Sequence, residues 1–345
     1  MKRTFVIAEA GVNHNGKISL AKKLIDKAKI SGADAIKFQT FLPKELTTKL
    51  VKTAKYQAKR SMSQQKLLSK LSLNYKEFIK LRDYCKKKEI IFLSSAFDLI
   101  SLNFLLKLNL KFYKIASGQI TDLPFLVTLA KKNKKILLST GMSKINEIEK
   151  CINILIKFGT KKNNIFLLHC NSAYPTPAED INLRTISLFK KKFKLETGLS
   201  DHSSGILAPI ISIAFGSKFI EKHFTLNKKM IGPDHRSSLN QKEFKAMVEG
   251  IRYAEKILGK EKKIVTKSER KNIKYVRKSI VSKKLIKKGD KFTISNITTK
   301  RPGIGISPMN YFKLLGKVSK RKFKKDEFIK IWKKKQTKFF GARIV

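Results

Sequence analysis

Five histidines occur in this chain of 345 residues, and each stands at or just beyond a short apolar, β-branched run: His14, His169, His202, His223 and His235. This placement predicts a shared site. His202 in GLSDH and His223 in EKHFT follow neighbouring runs, so two neutral imidazoles can converge on one ion and leave coordination positions open. Asp201 and Glu221 beside them are candidate supporting partners or further site carboxylates. Lys37 and Lys114 lie inside apolar runs near their ends, where a cation requires an anionic partner. Phosphate or carboxylate of a ligand is one such partner, and an ion pair with Glu9 or another internal carboxylate is the other. Ser117-Gly118 and Ser139-Thr140-Gly141 add hydroxyls and closely approachable backbone N–H groups, the makings of a phosphate cradle.

The elements that must position these groups repeat at intervals of about 25 to 35 residues, the rhythm of βα units. The candidate strands are TFVIAEAG (4–11), DAIKFQT (34–40), IIFLSSAF (90–97), KFYKIASG (111–118), KILLSTG (135–141), IFLLHCNS (165–172), LETGLSD (195–201) and FIEKHFT (219–225). Between them run amphipathic stretches such as ISLAKKLIDKAKISG, YKEFIKLRDYCKKKE and NEIEKCINILIKFG, and QKEFKAMVEGIRYAEKILG follows the last. Eight strands alternating with helices predict an α/β fold, a (β/α)8 TIM barrel over 1–259, whose catalytic groups project from the carboxyl ends of the strands. A charged connection, 260–275, then leads to a small β-rich domain over 276–345, with a turn at Gly289-Asp290.

Composition narrows the partners. Lys and Arg total 77 against 25 Asp and Glu, a formal net charge of +52. A nucleic-acid binder is the obvious reading. However, only 11 of the basic residues are Arg, and the lysines spread along the chain in runs such as KKNKK rather than clustering in one arm. A general lysine bias is the preferred explanation, and nucleic acid is not the expected partner. Either way, the positive field draws in small anions. Three scattered cysteines build neither a disulfide framework nor a zinc cluster, which fits a reducing cytoplasm. Cys170 reads as a small packed residue. Glu9 interrupts the amino-terminal apolar run, and no window is long and apolar enough to cross a membrane.

The ordered set EAGVNHNG, IKFQT, YKIASG, ILLSTGM, LLHCNSAYPTPAEDINL, GLSDHSSG, IEKHFT, GPDHRSSL and KRPGIGISP resembles the sialic acid synthase family, most nearly its bacterial N-acetylneuraminate and N,N'-diacetyllegionaminate synthases. The resemblance implies a barrel followed by an antifreeze-like SAF domain. It implies condensation of phosphoenolpyruvate with an N-acylated mannosamine-type sugar, giving a nine-carbon 2-keto acid and phosphate. A divalent metal, Mn2+ before Mg2+ or Co2+, is implied on His202 and His223. Lys37, Lys114, Ser117 and Ser139 match positions that hold phosphoenolpyruvate, while Gln39, Tyr174 and Asp234 match positions around the sugar. Arg301 in KRPGIGISP matches an arginine that the SAF domain of one subunit inserts into the partner's barrel, so a domain-swapped homodimer is implied.

Two positions depart from the family pattern. Gln119 follows YKIASG where relatives usually carry Glu or Asp near the reacting centre, and an amide cannot act as a base. That role then falls to water, or to Glu9 or Glu221, or the chain is a low-activity paralogue that binds the same ligands. Ser172 stands where some relatives place Asn near the substrate. Gly303 and Gly305 lack the strand-turn-helix setting of a dinucleotide fingerprint and read as a turn that positions Arg301. The expected catalytic set is Glu9, Gln119, Glu221 and Arg301.

Overall fold

Side-chain parity along β1 (Phe5–Gly11) sets the plan of the fold: Val6, Ala8 and Ala10 face one way, and Ile7 and Glu9 the other. In the computed structural model, residues 3–48 and 63–330 are described. Seven more strands follow: β2 (Ala35–Thr40), β3 (Ile91–Ala96), β4 (Tyr113–Ile115), β5 (Ile136–Ser139), β6 (Ile165–Cys170), β7 (Glu196–Asp201) and β8 (Phe219–His223). All are parallel. They pair in sequence order, and β8 closes onto β1 with Phe5 opposite Phe219 and Glu9 opposite His223. The first unit, ending at Gly259, is therefore the closed eight-stranded barrel that the alternation predicts.

Helices cover the outer faces because their apolar residues recur at helical spacing. Ala21, Leu24, Ile25 and Ala28 are buried along Ile18–Ile30, and Phe244, Met247, Val248, Ile251 and Ala254 along Gln241–Ile257. Asn74 and Asn240 start the helices Tyr75–Lys87 and Gln241–Ile257 through capping boxes with Glu77 and Glu243. Such reciprocal caps satisfy amide groups that would otherwise lack partners. Outward strand residues such as Val6, Ile36 and Phe38 join these helix residues in one core.

The candidate strand 111–118 is shorter than its apolar pattern suggests. β4 holds three residues and meets β3 only at Lys114 opposite Ser95. Chain past Ile115 turns instead, because Ser117–Gln119 coil into a 3-10 turn and Ser117 Oγ accepts the Gly141 N–H at 3.0 Å.

The second unit begins at Lys260. Antiparallel β9 (Ser279–Ser282) and β10 (Ile297–Lys300) carry a small core of Ile280, Ile286, Phe292, Ile297, Leu314, Phe323 and Ile329. The expected Gly289-Asp290 turn is present, with Gly289 at φ +94° and Asp290 Oδ2 accepting the Lys287 N–H at 2.7 Å. The charged connection is partly helical, over Lys267–Arg270 and Ile273–Val276, and Lys274 O accepts the Gly303 N–H at 2.7 Å. Residues 331–345 of the expected second domain lie outside the described residues. Among the described residues, no helix is long and apolar enough to cross a membrane.

Candidate active site

The barrel interior is built in layers, and the layers explain where chemistry can occur. At the amino-terminal end, Phe5, Phe112, Phe166 and Phe219 plug the interior, with ring centroids 4.8 to 5.8 Å apart in successive contacts. Ile7, Ala35, Leu93, Leu137 and Leu168 pack on them. Above this dry floor, the same inward parity brings Glu9, Lys37, Ser95, Lys114, Ser139, Ser200 and Glu221 into a cavity of about 400 Å³ at the carboxyl ends of the strands. A polar layer on an apolar plug has little water to screen it, so its charges must neutralise one another.

They do so in a chain of ion pairs. Lys37 Nζ lies 2.8 Å from Glu9 and 3.7 Å from Glu221, and Lys114 Nζ lies 3.1 Å from the other Glu221 oxygen. Of the two partners foreseen for these lysines, the internal carboxylate is present. Ser95 Oγ accepts from Lys37 at 3.0 Å, and Ser200 Oγ donates to Glu221 at 2.9 Å. The two carboxyls differ sharply. Burial outweighs the attraction of Lys37 at Glu9 and, with Glu221 beside it, pushes Glu9 up to about 7. At Glu221 the burial penalty is overcome by Lys114 and Lys37, which hold it down at about 2. Glu221 is thus a fixed anion, whereas Glu9 can change protonation near neutrality.

The rim carries Gln39, Tyr174, His202, His223 and Asp234. Gln39 Nε2 donates to Glu9 at 3.2 Å. The Tyr174, His202 and His223 rings form a triangle, with centroids 4.2 Å apart for Tyr174–His202, 5.3 Å for His202–His223 and 5.7 Å for Tyr174–His223. Asp234 reaches the cavity from the loop after β8, and loops at the opposite side of the β1–β8 seam hold it there. Asn13 Nδ2 donates to Phe224 O and to Ser238 Oγ, each at 2.9 Å, and Asn15 Nδ2 donates to Ile231 O at 2.8 Å. Burial pushes the Asp234 carboxyl up to about 6.

Several cavity atoms are poised for a ligand. Ser139 Oγ and His223 Nδ1 are buried without a hydrogen-bond partner among the described residues, and Glu221 Oε2 has only the long contact to Lys37. Burial, with the charges of His202 and Lys37 added, holds His223 well below the usual imidazole range, so the ring is neutral and keeps a lone pair. His202 directs Nδ1 to Asn171 O, which leaves its Nε2 for another partner. These two imidazoles therefore fit a divalent cation. Among the described residues, no group of three or more His, Cys, Asp or Glu side chains is arranged to hold a metal.

Eleven of the thirteen expected site residues line the cavity: Glu9, Lys37, Gln39, Lys114, Ser117, Ser139, Tyr174, His202, Glu221, His223 and Asp234. Gln119 does not. It ends the 3-10 turn with its side chain buried and its Oε1 unpaired. Arg301 belongs to the second unit, where it is exposed just beyond β10. The expectation of one site for five histidines is corrected to two. His14 accepts the Gly16 N–H through Nδ1, His169 Nε2 meets Ile181 O at 2.7 Å, and His235 Nδ1 meets Thr225 Oγ1 at 2.6 Å, and none of the three lines the cavity. Asp201 is likewise engaged elsewhere, paired with buried Lys222 and bonded to Ser203. Sequence reasoning passed over Ser95 and Ser200, although strand parity with Lys37 and Glu221 was the available signal. It also read Cys170 as packing alone, yet its thiol lines the cavity 3.8 Å from His202 Nδ1.

Comparison with known proteins agrees with this geometry. The model of the NeuB family matches residues 24–263, and that of the SAF domain matches residues 277–331. An N,N'-diacetyllegionaminic acid synthase of Campylobacter jejuni is 49% identical over 96% of this chain and 100% of its own length. A protein of the same description from Legionella pneumophila is 39% identical over 90% of this chain and 89% of its own. The solved structure of an N-acetylneuraminic acid synthetase from Leptospira borgpetersenii superposes with a TM-score of 0.70 at 34% identity, covering 79% of this chain and 90% of that one.

Proposed function

The chain belongs to the NeuB family, an enzyme family of synthases, and from that premise we propose that it condenses phosphoenolpyruvate with an N-acylated mannosamine-type sugar. The product is a nine-carbon 2-keto acid of the sialic or legionaminic type, and phosphate is released. The observation that carries this reading is the convergence, in one cavity at the carboxyl ends of the barrel strands, of Lys37, Lys114, Ser117 and Ser139 with His202 and His223. The first four suit a small molecule bearing phosphate and carboxylate, and the imidazoles suit an electrophile-binding cation.

Bond by bond, C3 of the enol phosphate attacks C1 of the open-chain sugar, and the aldehyde oxygen becomes a hydroxyl. Water adds at C2, the C2–O bond breaks, and phosphate departs with its oxygen. One proton of the added water is balanced by the new sugar hydroxyl, and the other leaves with phosphate. Lys37 and Lys114 neutralise phosphate and carboxylate throughout. Ser117 and Ser139 orient them. Glu9, which changes protonation near neutrality and touches both Lys37 and Gln39, moves the proton at the sugar oxygen. Gln39, Tyr174 and Asp234 position the sugar. A divalent cation on His202 and His223, Mn2+ before Mg2+ or Co2+, supplies Lewis acidity toward the aldehyde when bound. Gln119, buried outside the cavity lining, has no step.

Arg301 acts, in this reading, from the second unit of a partner copy in a homodimer, giving a bidentate contact that Lys would reproduce poorly. Its exposure beyond β10 leaves the guanidinium available for that role. The test is phosphate release from phosphoenolpyruvate with Mn2+, with and without an acylated mannosamine, and with a chelator. Release that requires both sugar and metal supports the reading; a folded protein that binds phosphoenolpyruvate and releases no phosphate with any sugar overturns it.

A further inference from the structure

One sector of the cavity is apolar, and the activity outlined above has no use for it. Helix Gln64–Leu71 presents Leu67, Leu68 and Leu71 to the cavity, and Val12 and Phe97 line it beside them. These five form one cluster with Phe41 and Leu46. The helix is seated closely: a Cβ on Gly16, in the loop after β1, would come within 2.5 Å of Lys70 O. The wall also has a defined neighbour. Val12 directly follows Gly11, where a Cβ would be 3.2 Å from Gln39 Nε2 and 3.7 Å from Asp234 Oδ2. Phe97 is tied by its N–H to Thr40 O, at the end of the strand that carries Gln39. The wall therefore rises over the β1–β3 sector, next to the groups assigned to the sugar. Lys114, Ser117 and Ser139 occupy the β4–β5 sector.

Resting on the reading of this cavity as a phosphoenolpyruvate–sugar site, we propose that Val12, Leu67, Leu68, Leu71 and Phe97 form a specificity wall. It selects an acylated amino sugar whose far end carries methyl groups, a deoxy carbon and a second acetamido group, over one that carries a free hydroxyl or a phosphate there. Methyl groups gain by leaving water for such a surface, whereas a hydroxyl facing it loses its hydrogen bonds. A phosphate fares worse. Among the described residues lining the cavity, the only Lys or Arg side chains are Lys37 and Lys114, and the reading above places both on phosphoenolpyruvate.

The experiment compares kcat/KM for phosphate release from phosphoenolpyruvate with three sugars: 2,4-diacetamido-2,4,6-trideoxymannose, N-acetylmannosamine and N-acetylmannosamine 6-phosphate. The expected order is the one given, with the first ahead of the second by about 10- to 100-fold, the range that one small apolar group commands in a pocket. Leu67→Asn with Leu68→Asn brings that ratio to within about threefold, through KM for the deoxy sugar and with KM for phosphoenolpyruvate unmoved. Leu68→Met, which conserves volume and polarity, retains the wild-type ratio. Equal or reversed preference in the wild type overturns the wall, as does a double variant that lowers both sugars alike. Absence of phosphate release with every sugar overturns the underlying function as well, and so separates the two failures.

Discussion

Glu221→Gln changes one charge at the centre of the cavity, and its effects on the fold and on ligand binding run in opposite directions. Glu221 is 5% exposed, and it is the only carboxylate among the described residues in ion-pair contact with Lys114, at 3.1 Å. Lys37 keeps Glu9 at 2.8 Å in the variant. Removing one member of a buried pair costs about 3–5 kcal/mol, because the remaining charge stays out of water. Urea unfolding of the metal-free protein at pH 8 measures that loss. The same substitution removes an anion that competes with the substrate for two lysines. Two unit charges about 4 Å apart interact by about 4 kcal/mol at an effective dielectric constant of 20, which is an upper bound here. Phosphoenolpyruvate should accordingly bind Glu221→Gln at least about tenfold more tightly, a gain of about 1.4 kcal/mol, and restore part of the lost stability. Replacing the pair together, Lys114→Met with Glu221→Leu, should recover most of the folding loss and none of the affinity. A loss below about 1 kcal/mol, or unchanged affinity for phosphoenolpyruvate, would refute the account of these charges as mutually neutralising.

Three further outcomes follow from individual contacts. Burial holds His14 at about 4 against an ordinary 6.5, so the stability it contributes is complete above pH 6.5 and is lost as pH falls toward 4. His14→Phe should flatten the fall in unfolding free energy between those values by about 3 kcal/mol, and parallel curves for variant and parent would contradict this. A Cβ at Gly141 would stand 2.3 Å from Ser172 Oγ and 2.8 Å from Ser117 Oγ, inside the proposed cradle. Gly141→Ala should lower kcat/KM for phosphoenolpyruvate by about tenfold or more, mainly through KM, in steady-state phosphate release. Gln119→Glu buries a carboxyl outside the cavity lining; it should cost about 1–3 kcal/mol in chemical unfolding without accelerating turnover, and a large rate gain would make this chain an impaired enzyme.

The barrel was legible because its signal is repeated: eight apolar runs at βα spacing leave little room for another architecture, and closure of β8 on β1 follows. Glu9, Lys37, Gln39, Lys114, Ser139, Glu221 and His223 stood out because polar side chains inside apolar strands are conspicuous, whereas Tyr174 and Asp234, in loops, were reached only through the family resemblance. What was less visible was direction. Asp201 in SDH and Glu221 in EKH look alike, one and two residues before a histidine, but strand parity separates them. Glu221 and His223 share the inward face, whereas Lys222 between them faces outward and lies opposite Asp201 in the β7–β8 register. The histidines divide for a related reason. His202 and His223 are fixed by strand ends, whereas the places of His14 and His235 depend on loop bonds between segments more than 200 residues apart, such as Asn15 to Ile231.

The lysines make the same point about physical context. In a chain with 77 Lys and Arg residues, the type alone carries almost no information. Lys37, Lys114 and Lys222 are set apart by burial, and burial forces each to acquire a carboxylate. Only the position of that carboxylate then distinguishes function from structure. Lys222 and Asp201 satisfy each other within the wall of the barrel, with Ser203 taking the remaining bonds, so the pair has no open face. Lys37 and Lys114 share Glu221 across a cavity in which Ser139 Oγ is unpaired and Glu9 is held near its titration point. An arrangement that is neutral when empty and can shed one negative charge by protonating Glu9 meets an incoming anion with net positive charge. The dry phenylalanine floor beneath it keeps that charge from being screened.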